Sequence, residues 1–410
     1  MRTALSRRWI AVGIFIISST LNYLDRQLLA ILAPLIMADL HFRQTEYGLL
    51  ISVLSITYAI SSPLAGAFLD RVGVNRGIVA AVAWWSASAA GTGFVSGLRS
   101  LALCRASLGI GESAGVPAVG KLNGMYLKPG ERALGAALNQ VGLSLGLMMA
   151  PLSIGIATAH SWRAPFVIAG LLGFLWIPAW TLVSRIIPPQ FDTEAAVIEK
   201  AKSYPVLQVL RDRRLTYLAL ANVLWMMSYS LWSNWTTLYL IHVDGLTLEQ
   251  TAHYVWIPPF VSNLGGFFGG WLSLRWMKRA RGAVAARRQA VWVSALGMLL
   301  TALLPLAPDA RWATACISIS FFFTLAGSVN IYALPIDIFG AARSGFAISV
   351  LSFAFGVMQM IISPLIGYMG DHKLYTEVGW LVAIPPVLSA LVLTLLPDTS
   401  PKQKDADIIA

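Results

Sequence analysis

IAVGIFIISSTLNYLDRQLLAILAPLI, residues 10–36, is longer than the ~20 apolar residues a helix needs to cross a bilayer, yet it carries Asp25 and Arg26 near its middle. Each such charge costs roughly +2.5–3.5 kcal/mol at the centre of a membrane helix. Charges retained there face an internal, water-accessible path by default, which points to transport. A second apolar run, residues 99–125, repeats the pattern with Arg105 and Glu112.

Working outward, the whole chain has the composition of a membrane protein. Of 410 residues, 57% are hydrophobic and 12% charged, where a soluble domain carries ~25% charged residues. Mean hydropathy is +0.68. A soluble-domain reading is excluded. Cys104 and Cys316 lie in separate apolar segments with neither a disulfide framework nor metal-ligand spacing, so they read as packing residues. Arg2, Arg7 and Arg8 precede the first run like the basic region of a signal peptide. That run is too long for one, and Asn22, Tyr23, Asp25 and Arg26 stand where a small-residue cleavage site would be.

Twelve segments have spanning length: 9–36, 46–69, 75–95, 99–125, 131–158, 163–186, 214–241, 250–275, 285–307, 311–337, 341–369 and 376–396. With the N-terminus inside, 22 of the 30 Lys and Arg fall in inner segments, 5 in outer ones and 3 within spans. This asymmetry predicts that both termini are cytoplasmic. It also accounts for the net charge of +11 without invoking nucleic acid. The expected architecture is an all-α membrane protein with twelve transmembrane helices in two six-helix bundles. The bundles are residues 1–187 and 214–398, with a cytoplasmic linker over 188–213 and a tail over 399–410. Within the linker, Val197, Ile198, Val206, Leu207, Val209 and Leu210 sit among charges and predict a short interfacial helix. GAFLDRVGVNR after the second span is echoed by GGWLSLRWMKRARG after the eighth, as two parallel repeats would require.

GAFLDRVGVNR resembles the inner-loop signature of the major facilitator superfamily, carried here by Gly66, Asp70, Arg71, Gly73 and Arg76. The resemblance implies a gating element: Gly66 for close helix contact and Asp70 to cap or pair at the inner rim. A narrower resemblance covers most of the chain. LNYLDRQLLAIL, RASLGIGESAGVPAVGK and GERALGAALNQVGLSLGLMMAPL are similar to the anion:cation symporter family. WIPPFVSNLGGFFGGWLSLRWMKRARG and NIYALPIDIF look closest to its bacterial hexuronate branch. Two positions depart from the pattern. Leu274 stands where many relatives have an acidic residue, and Gly115–Val116 replace a larger polar and an aromatic residue beside the expected site.

The charged residues support a coupling role independently. Arg105 and Glu112 are seven apart, two helical turns, and share a face about 10 Å apart along the axis. Adjacent Asp25 and Arg26 project ~100° apart and so serve different partners. Asn22 and Tyr23 fall on the stripe of Arg26. Burial favours a neutral carboxyl while a nearby Arg favours the charged one, and a carboxylate between these influences exchanges protons near neutral pH. The resemblance implies that Asp25 and Glu112 carry protons and that Arg26 and Arg105 handle substrate and coupling. Arg26 suits a carboxylate because its planar fork makes two hydrogen bonds. The alternative is a pair of static ion pairs locking helices together. Tyr58 aligns with a substrate-facing tyrosine of the family, and Lys121 with a basic position of the hexuronate branch. Lys121 could equally snorkel to the inner surface. Asn234, Trp235, Asn263, Asn330 and Gln359 could bind hydroxyls of a sugar acid or simply a neighbouring helix.

Other patterns are packing or chance. The spacings Gly142/Gly146 and Gly266/Gly270 predict close helix contact. The glycines at 109, 111 and 115 follow no strand and make no dinucleotide fingerprint. The histidines lack metal-ligand spacing, there is no phosphate-binding loop, and no catalytic constellation is present. The expectation is therefore a transporter, not an enzyme: a proton-coupled symporter of a small organic anion such as a hexuronate or aldonate. It would work by alternating access without cofactor or metal, as a monomer in a bacterial inner membrane. The alternatives are an exporter or antiporter of amphipathic compounds, including a spinster-like lipid carrier, and a non-transporting membrane sensor.

Overall fold

The computed structural model describes residues 2–128, 131–189, 191, 209–277 and 282–396. The body of the expected interfacial helix and the tail lie outside the described residues. The described chain is helical throughout. In order the helices are α1 (Arg2–Leu40), α2 (Gln44–Val72), α3 (Val74–Thr92), α4 (Leu98–Glu112), α5 (Gly115–Tyr126), α6 (Arg132–Met149), α7 (Leu152–Ala159) and α8 (Arg163–Ile186). They continue with α9 (Arg213–His242), α10 (Leu248–Thr251), α11 (Ile257–Met277) and α12 (Ala283–Met298), which runs into a 3-10 turn, Leu299–Leu306. The last are α13 (Ala310–Ile331), α14 (Leu334–Phe339), α15 (Ala341–Asp371) and α16 (Tyr375–Leu393). Helices occupy all twelve segments marked in the sequence. Among the described residues, seven helical stretches are long and apolar enough, by length and composition, to cross a membrane.

Four segments expected as single helices are broken, at α4/α5, α6/α7, α10/α11 and α13/α14. α4 ends at Glu112 and α13 at Ile331, at or beside the residue four before Pro117 and Pro335. A proline ring offers no N–H to the carbonyl four residues back and collides with it, so the helix ends there. The α6–α7 break falls at Ala150–Pro151.

The chain divides into two compact units. The first comprises Met1–Ala195, Thr247–Trp256 and Ser363–Asp371. The second comprises Ala196–Leu246, Ile257–Ile362 and His372–Ala410.

Because lipid tails are as apolar as leucine, membrane helices associate through close backbone packing at small residues. In the first unit, a Cβ on Gly146 would lie 2.4 Å from the Thr20 carbonyl oxygen and one on Gly142 2.5 Å from Ile16, which seats α6 on α1. Gly109 seats α4 on α2, since a Cβ there would lie 2.3 Å from Thr57 Oγ1. An aromatic core closes the unit. Trp176 and Trp180 stack at 5.5 Å, and Phe15 and Tyr126 meet Trp180 edge-on. Asp39 accepts a hydrogen bond from Trp162 Nε1 at 3.1 Å and pairs with Arg163 at 2.9 Å, tying α1 to the start of α8. The Trp162 donor, and then Arg163, hold the Asp39 carboxyl below the usual carboxylate range. This tie is therefore present at neutral pH and is lost as pH falls through that lowered value.

The end of α15 completes α2. Asp371 accepts from the backbone N–H groups of Gln44 and Thr45, both at 3.0 Å, and from Thr45 Oγ1 at 2.6 Å. It thus caps, from a distant part of the chain, a helix whose own N-cap Arg43 supplies no side-chain acceptor. The approach depends on glycine: a Cβ on Gly367 would lie 2.2 Å from the Gln44 carbonyl oxygen. Asp371→Ala is expected to cost about 1–2 kcal/mol, the upper range for losing an N-cap. A lowered thermal-unfolding midpoint of the purified protein is the readout.

In the second unit, α11 packs on α13 through Gly265 and Gly269, whose added Cβ atoms would lie 1.9 and 2.0 Å from the Phe322 and Ala326 carbonyl oxygens. The expected pair was Gly266/Gly270, one position along. Gly266 meets only Leu325 and Val329 at ordinary contact distance, and Gly270 meets nothing within 4 Å. Spacing reveals that small residues pack but not which of two overlapping registers does so.

Candidate functional site

The charged residues within the apolar runs converge inside the first unit. Glu112 is the last residue of α4, where the helix dipole disfavours an anion. Its counter-ion is Arg26 of α1, whose Nε donates to Glu112 Oε2. The carboxylate is sealed from solvent, while the Arg26 side chain remains 27% exposed. Two aromatic rings flank the guanidinium, with Tyr58 of α2 at 4.5 Å and Tyr23 at 5.5 Å. Cation–π contacts of this kind restrict the plane of the guanidinium as well as attract it. Arg26 is therefore a held cation whose side chain is partly exposed, suited to an oxyanion.

Asp25 points elsewhere, as the ~100° step between neighbours requires. It is buried at 2% exposure, and its Oδ1 has no hydrogen-bond partner among the described residues. The charges of Glu112 and Arg105 act on it. Asn22 is also buried, with Nδ2 unpartnered.

Arg105 behaves unlike Arg26. Its side chain is fully buried at 0% exposure. Nη2 donates to Thr92 Oγ1 of α3 at 3.1 Å, and its Cζ lies 5.3 Å from the Phe166 ring centroid of α8. Of the two guanidinium groups expected to meet cargo, only Arg26 is open to solute.

The residues of the inner-loop signature sit at and beside the α2–α3 turn. Asp70 forms an ion pair with Lys121 of α5, so Lys121, expected among the substrate ligands, has its ammonium on the Asp70 carboxylate. Gly73 adopts φ +84°, a left-handed conformation that a side chain would strain. Arg71 and Arg76 are exposed. Gly66 does not mediate the close contact expected of it: a Cβ there meets nothing within 4 Å.

In the second unit, the polar candidates lie on four helices. Asn234 of α9 donates to the Ser230 carbonyl at 2.8 Å, and the adjacent Trp235 is buried. Asn263 donates to the Pro259 carbonyl at 3.1 Å. Asn330 of α13 is fully buried and donates to the Gly269 carbonyl of α11 at 3.0 Å. That bond ties the two helices at the glycine that lets them meet. Gln359 of α15 is half-buried. Leu274 is 64% exposed. The second unit places its carboxylate differently: Asp337 of α14 pairs with Arg287 of α12. Thr92, Phe166, Asp337 and Asp371 were all missed in the sequence. Thr92 and Phe166 carry no signal there, being an ordinary hydroxyl and a phenyl in apolar helices.

The Major Facilitator Superfamily profile matches residues 15–328. The chain is 26% identical to the hexuronate transporter of Escherichia coli (strain K12), over 96% of this chain and 94% of that protein. It is 28% identical to the galacturonate transporter of Dickeya chrysanthemi, over 71% and 89% respectively. Among solved structures, it superposes on a bacterial homolog of the human lysosomal transporter Spinster with TM-score 0.74 at 19% identity, covering 95% of each chain.

Proposed function

The chain belongs to the Major Facilitator Superfamily, an integral membrane transporter rather than an enzyme, and on that premise we propose that it is a proton-coupled symporter of a small organic anion, a sugar acid of the hexuronate or aldonate type. The observation that carries this reading is Arg26: a partly exposed arginine side chain, braced by two tyrosines and paired to a sealed carboxylate. The hexuronate and galacturonate transporters similar to this chain support the substrate class. The proposed frame is twelve spans in two six-helix halves, with both termini cytoplasmic, acting as a monomer in a bacterial inner membrane.

Coupling follows from competition. Glu112 and the cargo carboxylate want the same guanidinium, and Arg26 already spends Nε on Glu112. A proton on Glu112 removes its claim and its buried charge together. The fork then turns to the cargo in two parallel hydrogen bonds. Asp25 takes a second proton, so the occluded site holds less uncompensated charge while the two halves alternate access. Cargo and protons leave on the other side, and Arg26 returns to Glu112.

Purified protein in liposomes, given an inward acid gradient, is expected to concentrate a labelled hexuronate or aldonate above its external level. Equal uptake with and without the gradient would overturn proton coupling.

A further inference from the structure

We propose that Thr92 is a positioning residue whose hold on Nη2 keeps Arg105 away from the cargo and short of full contact with the two proton-carrying carboxylates, so that neither is locked in its charged form. The proposal rests on the coupling roles of Asp25 and Glu112 given above.

The geometry is specific. Thr92 is fully buried, and its hydroxyl donates to the Ser88 carbonyl at 3.1 Å. Its one proton is thereby spent, and the oxygen faces Arg105 as an acceptor. Nη2 of Arg105 takes that bond, and the Phe166 ring lies against the same guanidinium. Behind Thr92 the anchor continues: Ser88 Oγ and Ser107 Oγ are hydrogen-bonded at 2.7 Å, and Trp84 Nε1 donates to the Ser107 carbonyl at 3.0 Å. α3 and α4 are therefore cross-linked through these side chains.

What remains of Arg105 is Nε and Nη1, both buried and without a hydrogen-bond partner. On the carboxylate side, Asp25 Oδ1 and Glu112 Oε1 are likewise buried and unbonded. Two donors and two acceptors stand in one sealed region, and buried polar groups of this kind are normally satisfied. A guanidinium tethered at Nη2 can serve one carboxylate or the other, directly or through water, without leaving its anchor. The groups acting on it are Asp25 from α1, Tyr47 from α2, and Cys104 and Glu112 from α4 itself. Arg26 and Tyr58 also interact with Glu112. α3 and α8 contribute the neutral Thr92 and Phe166. With 0% exposure, Arg105 has no surface to offer a solute.

Thr92→Val keeps the shape and removes the acceptor. The freed guanidinium then moves onto the unbonded carboxylate oxygens, which are left in their charged form to lower pH. The test is an acid titration of the purified full chain by infrared difference spectroscopy. The protonated-carboxyl band is assigned by its loss in Asp25→Asn and Glu112→Gln. Thr92→Val is expected to lower the midpoint of that band by roughly one pH unit, the low end of what an adjacent guanidinium does to a carboxyl. Thr92→Ser, which keeps the acceptor, is expected to restore it. An unchanged midpoint in Thr92→Val, or an equal shift in Thr92→Ser, would overturn the proposal. Thr92→Ala carries the same test should the valine variant fail to fold. The readout needs no cargo and no transport. A titration that behaves as expected in a protein showing no acid-driven uptake would therefore leave Thr92 in place and remove the symport reading.

Discussion

Arg26→Ala is expected to lower uptake of the sugar acid by two orders of magnitude or more. Two losses combine. The cargo loses its fork, and Glu112, sealed at the end of α4, loses its counter-ion. Removing one partner of a buried pair costs ~3–5 kcal/mol, because the other charge stays buried. That alone corresponds to a factor of roughly 10²–10⁴ in an equilibrium constant. The two contributions separate in a second variant. Arg26→Ala with Glu112→Gln removes the stranded charge, so the folded protein and its thermal stability are expected to return while cargo binding does not. Arg26→Lys keeps the charge and loses the two-pronged contact, so it should fold yet bind the acid more weakly. Recovered cargo binding in the double variant would mean that Arg26 serves Glu112 alone and never holds cargo.

The contrast between Arg26 and Arg105 marks the boundary of what the sequence makes legible. Both are arginines in apolar helices, and a charge at that depth declares that a polar interior exists. Local helix geometry carries further. The step from Asp25 to Arg26 separates their partners, and the Arg26 stripe collects Tyr23, which is where the structure has it. Exposure is another matter, because it depends on which neighbour covers the side chain. Arg105 is sealed by Thr92 and Phe166, 13 and 61 residues away in the chain, and nothing local to LCRASLG announces either. Helix boundaries fail for a related reason. Pro117 ends α4 at Glu112 and thereby sets the carboxylate at a helix terminus, whereas Pro34 and Pro63 sit inside continuous helices. A proline states which hydrogen bond is lost, but tertiary packing decides whether the helix survives it. The glycine registers Gly265/Gly269 and Gly266/Gly270 differ by one residue, and only the partner helix α13 selects between them. Long-range polar contacts such as Asp371 on α2 and Asp337 on Arg287 stay invisible until the helices are in place.

Asp25→Asn is expected to convert concentrative uptake into simple equilibration while leaving exchange of cargo for cargo intact. The asparagine has nearly the shape of a protonated aspartate and cannot release its proton. At 2% exposure, and turned from Arg26 by the helical step, Asp25 contributes no group to the cargo. A carrier fixed in the loaded form can still bind its substrate and alternate with it, which is all that exchange requires. It cannot return empty with a discharged carboxylate, which net accumulation requires. Each proton coupled to one cargo supports about tenfold accumulation per pH unit of gradient, since one unit is 1.36 kcal/mol. With Asp25 silent, that proton's share disappears, and if Glu112 cannot cycle alone the internal level stops at the external one. The paired measurement is uptake under an acid gradient beside counterflow in the same liposomes at equal pH. Loss of both would place Asp25 in the structure of the site and not in coupling. Persistence of concentrative uptake would leave Glu112 as the sole proton carrier.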